Sequence, residues 1–91
     1  MIKKELTVRN MDTDFVSKLI NTSEKFKSQI LIHYKTRLIN AKSVMGVMAI
    51  AEPGVEMNMV FMCDGRDEKK AMQAIEELIE NYGNEEVTEK E

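Results

Sequence analysis

Few side chains in this sequence could carry covalent chemistry. His33 is the only histidine and Cys63 the only cysteine among 91 residues. An imidazole can accept a phosphoryl group, but His33 lies within a strand-like segment with no neighbouring oxyanion site, so we interpret it as an ordinary outward-facing side chain. Cys63 alternates with apolar residues, which favours a buried side chain over a reactive thiolate. No catalytic residue is therefore predicted, and the protein is not expected to be an enzyme.

The composition argues against several other classes of function. One cysteine cannot form an internal disulfide, and one histidine offers no zinc-type ligand set, so neither a metal nor a cofactor is expected. The net charge of -3 comes with no basic cluster, so nucleic acid is not an expected partner. No segment approaches the roughly 20 apolar residues of a membrane span, and a signal-peptide core is absent, which predicts a cytoplasmic protein without membrane contact. Function is expected to come from a surface that binds other proteins.

Two polar segments each precede a helix-like pattern. Residues 10–14 are rich in capping residues, and apolar positions then recur at three- and four-residue steps, which predicts an amphipathic helix over residues 13–27. Asp12 and Asp14 would lie at its cap and first turn, where carboxylates suit the helix macrodipole, and either Asp12 or Thr13 is expected to be the capping residue. Ser43 precedes a short apolar run that Pro53-Gly54 closes. It predicts a second helix of about two turns with Ser43 as its N-cap.

The remaining segments predict four strands and a final helix. Alternating apolar residues indicate strands over residues 2–9, 29–35, 36–40 and 55–63, with a tight turn at Lys35-Thr36 between the second and third. After an Asp64-Gly65 turn, a stripe from Ala71 to Tyr82 predicts a helix that stops at Gly83. The order βαββαβα predicts an α+β open-faced β-sandwich, with a four-stranded antiparallel sheet and its helices on one face. We expect one domain over residues 1–83 and an acidic flexible tail over residues 84–91.

One stretch carries a specific resemblance. Residues 40–48 read NAKSVMGVM, and the HPr family of phosphocarrier proteins in the bacterial sugar phosphotransferase system carries a very similar N-A-K-S-[IV]-M-G-V-M segment. The similarity extends at the level of pattern over about residues 1–82, including the turn at residues 64–68 and the closing helix. The chain therefore resembles a divergent HPr, which implies the same fold and protein partners from that system.

The chain departs from this family where the family's phosphate acceptor lies. Members normally carry G-[IL]-H-[AT]-R-P-A at the start of the first helix, whereas residues 10–16 here read NMDTDFV. If Phe26 matches the family's phenylalanine at the end of this helix, Asp12 takes the histidine position and Asp14 the arginine position. A carboxylate at residue 12 could form an acyl phosphate, but that chemistry usually needs Mg²⁺, and Asp14 would repel the donor. We predict that both positions are non-functional in phosphotransfer.

Ser43 is where the resemblance is closest. The family implies that this serine is phosphorylated by an ATP-dependent kinase, and a helix N-terminus favours the added charge. It also implies that Met45, Gly46 and Met48 contact partner proteins, because apolar residues of this short helix dock partners in the family. The simpler alternatives are that Ser43 is only a helix cap and that the eight methionines fill the core. Met57 and Met59 are assigned to the core.

Three functions are compatible with these observations. The first is an HPr-like regulatory or adaptor protein without histidine phosphotransfer, whose partners would be a serine kinase, a transcriptional regulator or phosphotransferase components. The second is a phosphocarrier of the phosphoenolpyruvate-dependent sugar phosphotransferase system. The third, from another class, is a ferredoxin-like domain that binds a small ligand, which lacks support because the sequence has no Gly-rich ligand loop.

Overall fold

The computed structural model describes the backbone of residues 1–89 and the side chains of residues 1–82. Its elements follow the predicted order of βαββαβα. Among the described residues, no helix is both long and apolar enough to cross a membrane. The elements are β1 (Ile2–Val8), α1 (Thr13–Glu24), β2 (Gln29–Tyr34), β3 (Arg37–Asn40), α2 (Val44–Ile50), β4 (Met57–Asp64) and α3 (Glu68–Glu89).

The four strands form one antiparallel sheet in the order β1-β4-β2-β3. Side chains of a strand alternate between the two faces, so the register decides which residues meet in the core. Ile32 of β2 lies opposite Ile39 of β3 and Phe61 of β4, and all three are buried. Their neighbour His33 points to the other, solvent-facing side and is exposed. The predicted open-faced sandwich and the outward His33 are therefore confirmed.

The helices cover one face of this sheet. α3 packs against β1 and β4, α1 packs against α3, and α2 bridges α1 and β3. Phe15 and Leu19 of α1, Val47 of α2 and Ile75 of α3 are almost fully buried in the resulting core. Met57 and Met59 are also fully buried, as predicted. Cys63 is buried too, and burial raises the pKa of its thiol to about 11, with nearby Glu68 and Asp67 adding to the effect.

Several predicted boundaries were wrong by one to three residues. α1 ends at Glu24 instead of residue 27, because the amides of Lys27 and Ser28 each donate a 2.9 Å hydrogen bond to Asp67 at the start of α3. β4 begins at Met57 instead of residue 55, because the Val55 amide bonds to the Glu52 carbonyl in a turn. β3 begins at Arg37, after a hairpin turn in which Lys35 adopts a positive φ of 56°.

The prediction that α3 stops at Gly83 was wrong, since the helix continues to Glu89. A glycine inside a helix costs about 1 kcal/mol relative to alanine, which by itself is too little to end a helix. The acidic flexible tail of residues 84–91, beside a domain of residues 1–83, stays a prediction. Residues 90–91 lie outside the described residues.

Candidate functional site

The first candidate position is the start of α1. Asp12 has extended backbone angles and its Oδ1 accepts a 2.9 Å hydrogen bond from the Phe15 amide, which satisfies one of the free donors of the first helical turn. The predicted cap is therefore confirmed. Asp14 follows in the first turn, is exposed, and lies 3.8 Å from Lys18 Nζ. Two carboxylates thus stand at a helix end that would otherwise attract anions.

Two further side chains engage the Asp12 carboxylate. The hydroxyl of Tyr82, near the far end of the chain, donates a 2.6 Å hydrogen bond to Oδ1. Asn10 donates from Nδ2 to Oδ2 at 3.1 Å, and its own Oδ1 accepts from the Gly54 amide at 2.7 Å. Both oxygens of Asp12 are therefore held, one from α3 and the other from the loop before α1.

This arrangement stabilises the ionised form of Asp12. The Tyr82 hydrogen bond, followed by the Phe15 amide, holds the pKa of Asp12 below its ordinary value of 3.8. Burial, together with the Asp12 hydrogen bond, raises the pKa of Tyr82 well above its usual range. The hydroxyl therefore stays protonated and the carboxylate stays charged at neutral pH.

Sequence reasoning placed Tyr82 on the buried stripe of α3 but missed its contact with Asp12. The Tyr82 ring packs edge-on against Phe15 with centroids 5.1 Å apart, and Lys18 Nζ lies 5.9 Å from the ring centroid. The available signal was general: a half-buried tyrosine needs a partner for its hydroxyl. His33 takes no part, because it lies on the opposite face of the sheet from α1.

The second candidate position is the start of α2. Ser43 has extended backbone angles and its Oγ accepts a 3.1 Å hydrogen bond from the Gly46 amide, so the predicted N-cap is confirmed. The preceding residues shape this turn: Asn40 accepts from the Ser43 amide through its carbonyl and from the Lys42 amide through its side chain. Lys42 Nζ in turn bonds to the Phe26 carbonyl at 2.6 Å, beyond the end of α1.

Apolar side chains stand exposed beside Ser43. Met45 is 84% exposed, Met48 52% and Val44 55%, whereas Val47 and Ile50 of the same helix are buried. This settles the orientation of the two methionines and adds Val44, which the sequence analysis did not single out. We call the group of Val44, Met45 and Met48 the α2 patch. A shallow groove of about 280 Å³ runs from the patch to Val16 and Ile20 of α1.

Gly46 lies beneath the α2 patch and is half-buried. A Cβ atom at this position would stand 3.0 Å from Cγ2 of Ile39 and 3.2 Å from Oγ of Ser43. Because Gly46 has no side chain, α2 packs closely on β3 and the Gly46 amide reaches Oγ of Ser43.

Fold and helix starts together define an HPr-like domain, a four-stranded open-faced sandwich with two capped helices in its helix layer. The family described as the PTS HPr component phosphorylation site matches residues 2–81. The phosphocarrier protein HPr of Xylella fastidiosa strain Temecula1 is 43% identical over 88 residues, which cover 93% of this chain and 98% of that protein. The chain belongs to the HPr family, whose members serve the phosphotransferase system.

Solved structures agree with this assignment. HPr-C-His from Thermoanaerobacter tengcongensis superposes with a TM-score of 0.82 at 26% identity, covering 88% of this chain and 92% of that one. The histidine-containing phosphocarrier protein of Mycoplasma gives 0.79 at 27% identity, covering 89% and 94%. These proteins are called phosphocarriers or HPr, whereas this chain has no histidine at the start of α1. The match of Asp12 to the family's histidine position stays a prediction from the Phe26 alignment.

Proposed function

We propose that this chain is a cytoplasmic regulatory or adaptor member of the HPr family that does not carry phosphate on a histidine. It acts instead through Ser43, Gly46 and the α2 patch, and its partners are a serine kinase, a transcriptional regulator or other phosphotransferase components. The observation that carries the proposal is the state of Asp12, a carboxylate whose two oxygens are bonded to Phe15, Tyr82 and Asn10.

The chemistry of phosphotransfer supports the first half of this proposal. A histidine carrier needs a neutral imidazole nitrogen as nucleophile and positive groups that stabilise the incoming phosphoryl dianion. The start of α1 offers instead the charged Asp12 and, two residues on, the exposed Asp14. Two negative charges at this point repel a phosphorylated donor, and the low pKa of Asp12 keeps its charge in place.

The start of α2 has the opposite character. Ser43 Oγ accepts a single hydrogen bond from the Gly46 amide, and no carboxylate lies in the first turn of α2. A phosphate on Ser43 would add roughly two negative charges beside free amides of the helix N-terminus, which accommodate anions. Because the exposed α2 patch adjoins this position, the modification would favour a partner with a basic rim and weaken one that buries the patch.

The test is phosphorylation by ATP and the HPr serine kinase, followed by intact mass and peptide mapping. We expect one phosphate on Ser43, none on Ser43→Ala, and unchanged modification of Ser17→Ala, which alters an exposed serine of α1 in the same groove. Met45→Ala should slow modification, while Leu38→Ala should not, because Leu38 is 61% exposed on the opposite face of the sheet. An unmodified wild type, or a phosphate elsewhere, would show that Ser43 is only a cap.

One observation favours a second candidate, the phosphocarrier of the phosphoenolpyruvate-dependent system. The phosphorylation-site family matches residues 2–81, and the Xylella relative with 43% identity is a phosphocarrier. This function needs an acceptor other than a histidine at the start of α1, and the chain offers Asp12 and His33. Incubation with phosphoenolpyruvate and the first enzyme of the system tests it, with Asp12→Asn and His33→Ala identifying the acceptor.

A further inference from the structure

Tyr82 links parts of the chain that are far apart in sequence. It lies on α3, yet its hydroxyl reaches Asp12 at the start of α1, 70 residues earlier. Its ring is fixed against Phe15, which is 1% exposed and belongs to the first turn of α1. The hydroxyl is thus held in place from the core and is not a freely rotating surface group.

We propose that Tyr82 is an internal closure of the helix start, occupying with its hydroxyl the space beside residue 12 that a phosphoryl donor would have to enter. The inference rests on the proposed function, since it explains how phosphate is kept out. Beyond that function, Tyr82 itself blocks access to residue 12. An imidazole introduced at position 12 is therefore not expected to become a phosphate acceptor while Tyr82 is present.

The surroundings of Asp12 indicate that the Tyr82 hydrogen bond is part of a larger arrangement and not an isolated surface contact. Tyr82 covers Oδ1 from the side of α3, while Asn10 covers Oδ2 and is itself tied to Gly54. Approach to the carboxylate is therefore restricted from two directions. The Tyr82 hydroxyl takes the position beside Asp12 Oδ1 that water would otherwise hold. Any ligand that approaches this oxygen must compete with the hydroxyl.

A small donor tests closure without a partner protein. Phosphoramidate transfers its phosphoryl group to the unprotonated nitrogen of an imidazole: a P–N bond to the ring forms as the P–N bond to the protonated amine breaks, ammonia leaves, and the other ring nitrogen then loses its proton to water. In Asp12→His, the natural His33 supplies an exposed imidazole as an internal reference in the same molecule. Peptide mapping under alkaline conditions, where phosphohistidine survives, gives the two rates separately.

With Tyr82 present, we expect the imidazole introduced by Asp12→His to react at least about tenfold more slowly than His33, since a donor must displace a hydrogen-bonded hydroxyl. In Asp12→His/Tyr82→Ala the two rates should become similar. Asp12→His/Tyr34→Ala is the matched control, because Tyr34 is the other tyrosine, is likewise half-buried against the core, and lies on β2. It should behave like Asp12→His alone.

Equal rates at the introduced imidazole and His33 with Tyr82 in place would overturn the closure, as would a slow rate that persists in the Tyr82→Ala background. A second measurement needs no change at residue 12. In Tyr82→Phe the pKa of Asp12, followed by NMR, should rise towards its ordinary value, and an unchanged pKa would contradict the contact. Failure of either test leaves the proposed function standing, because that function fails only if the natural chain takes phosphate from phosphoenolpyruvate or is not modified on Ser43.

Discussion

The starts of α1 and α2 solve the same local problem with different consequences. Each helix begins with a side-chain oxygen that accepts a hydrogen bond from the amide three residues later, at 2.9 Å for Asp12 and 3.1 Å for Ser43. At Asp12 the capping group is charged and bonded by two further side chains. At Ser43 it is neutral, and the α2 patch beside it is exposed. The two helix starts therefore differ in the residues around the cap and not in the capping hydrogen bond itself.

The two positions also differ in their connection to the rest of the fold. Asp12 joins α1 to α3 through Tyr82, so it contributes to tertiary structure as well as to its own helix. In the described contacts, Ser43 bonds only to residues of α2 and to the Asn40 carbonyl three residues before it. We therefore expect substitutions at Asp12 to affect stability and substitutions around Ser43 to affect recognition.

The largest expected difference lies in the stability of the two cap variants. Asp12→Ala should lower the free energy of unfolding by about 2 kcal/mol, because it removes the cap and leaves the Tyr82 hydroxyl without its partner. Ser43→Ala should cost about 1 kcal/mol, the value of a cap alone. Urea denaturation of both variants measures the contrast, and a larger loss for Ser43→Ala would contradict the comparison.

Tyr82→Phe isolates the contribution of the hydroxyl to the Asp12 contact. It keeps the ring against Phe15 but removes the hydroxyl, so we expect a loss of about 1 kcal/mol, the net value of one hydrogen bond. Combined with Asp12→Ala, its effect should largely vanish, because both changes remove the same contact. Fully additive losses in the double-mutant cycle would mean that the hydroxyl and the carboxylate do not interact.

The capping hydrogen bonds of α1 and α2 should also differ in their dependence on pH. The folded pKa of Asp12 is depressed, so its stabilising contribution is complete above the ordinary pKa of 3.8 and is lost as pH falls through the lower folded value. The Phe15 amide should therefore shift in NMR spectra over that acidic range, whereas the Gly46 amide, bonded to a hydroxyl, should not. Asp12→Asn provides the control in which the Phe15 titration disappears.

The smallest expected effect is at the α2 patch. Met45→Ser should change the free energy of unfolding by less than about 0.5 kcal/mol, because Met45 is 84% exposed. The same variant should weaken partner binding if the patch is a contact surface. A stability loss comparable to that of Asp12→Ala would show that the side chain belongs to the core.

The fold could be predicted from the sequence because its signals are local. The alternation of apolar and polar residues predicted β1 and β4, and apolar residues at three- and four-residue steps predicted α1 and α3. Ser43 before an apolar run predicted α2, which is observed over Val44–Ile50. The capping roles of Asp12 and Ser43 followed from their positions alone.

What the sequence could not give depends on contacts across the fold. The Tyr82 to Asp12 hydrogen bond, and the bonds from Lys27 and Ser28 to Asp67 that end α1 early, join residues 39 to 70 positions apart. Gly65 illustrates the same limit: a Cβ there would lie 2.7 Å from the Cα of Ser28, which no local pattern reveals. Boundaries and side-chain partners were therefore missed where tertiary contacts override local preference.

We propose that the start of α1 is closed to phosphate and that the start of α2 is open to it. The most direct measurement offers the natural chain both donors in parallel: phosphoenolpyruvate with the first enzyme of the phosphotransferase system, and ATP with the HPr serine kinase. Intact mass before and after acid treatment then reports the number and type of phosphates. We predict no phosphate from phosphoenolpyruvate and one acid-stable phosphate on Ser43 from ATP. An acid-labile phosphate from phosphoenolpyruvate, with Ser43 unmodified, would show that the protein is a phosphocarrier and not a regulatory member of the family.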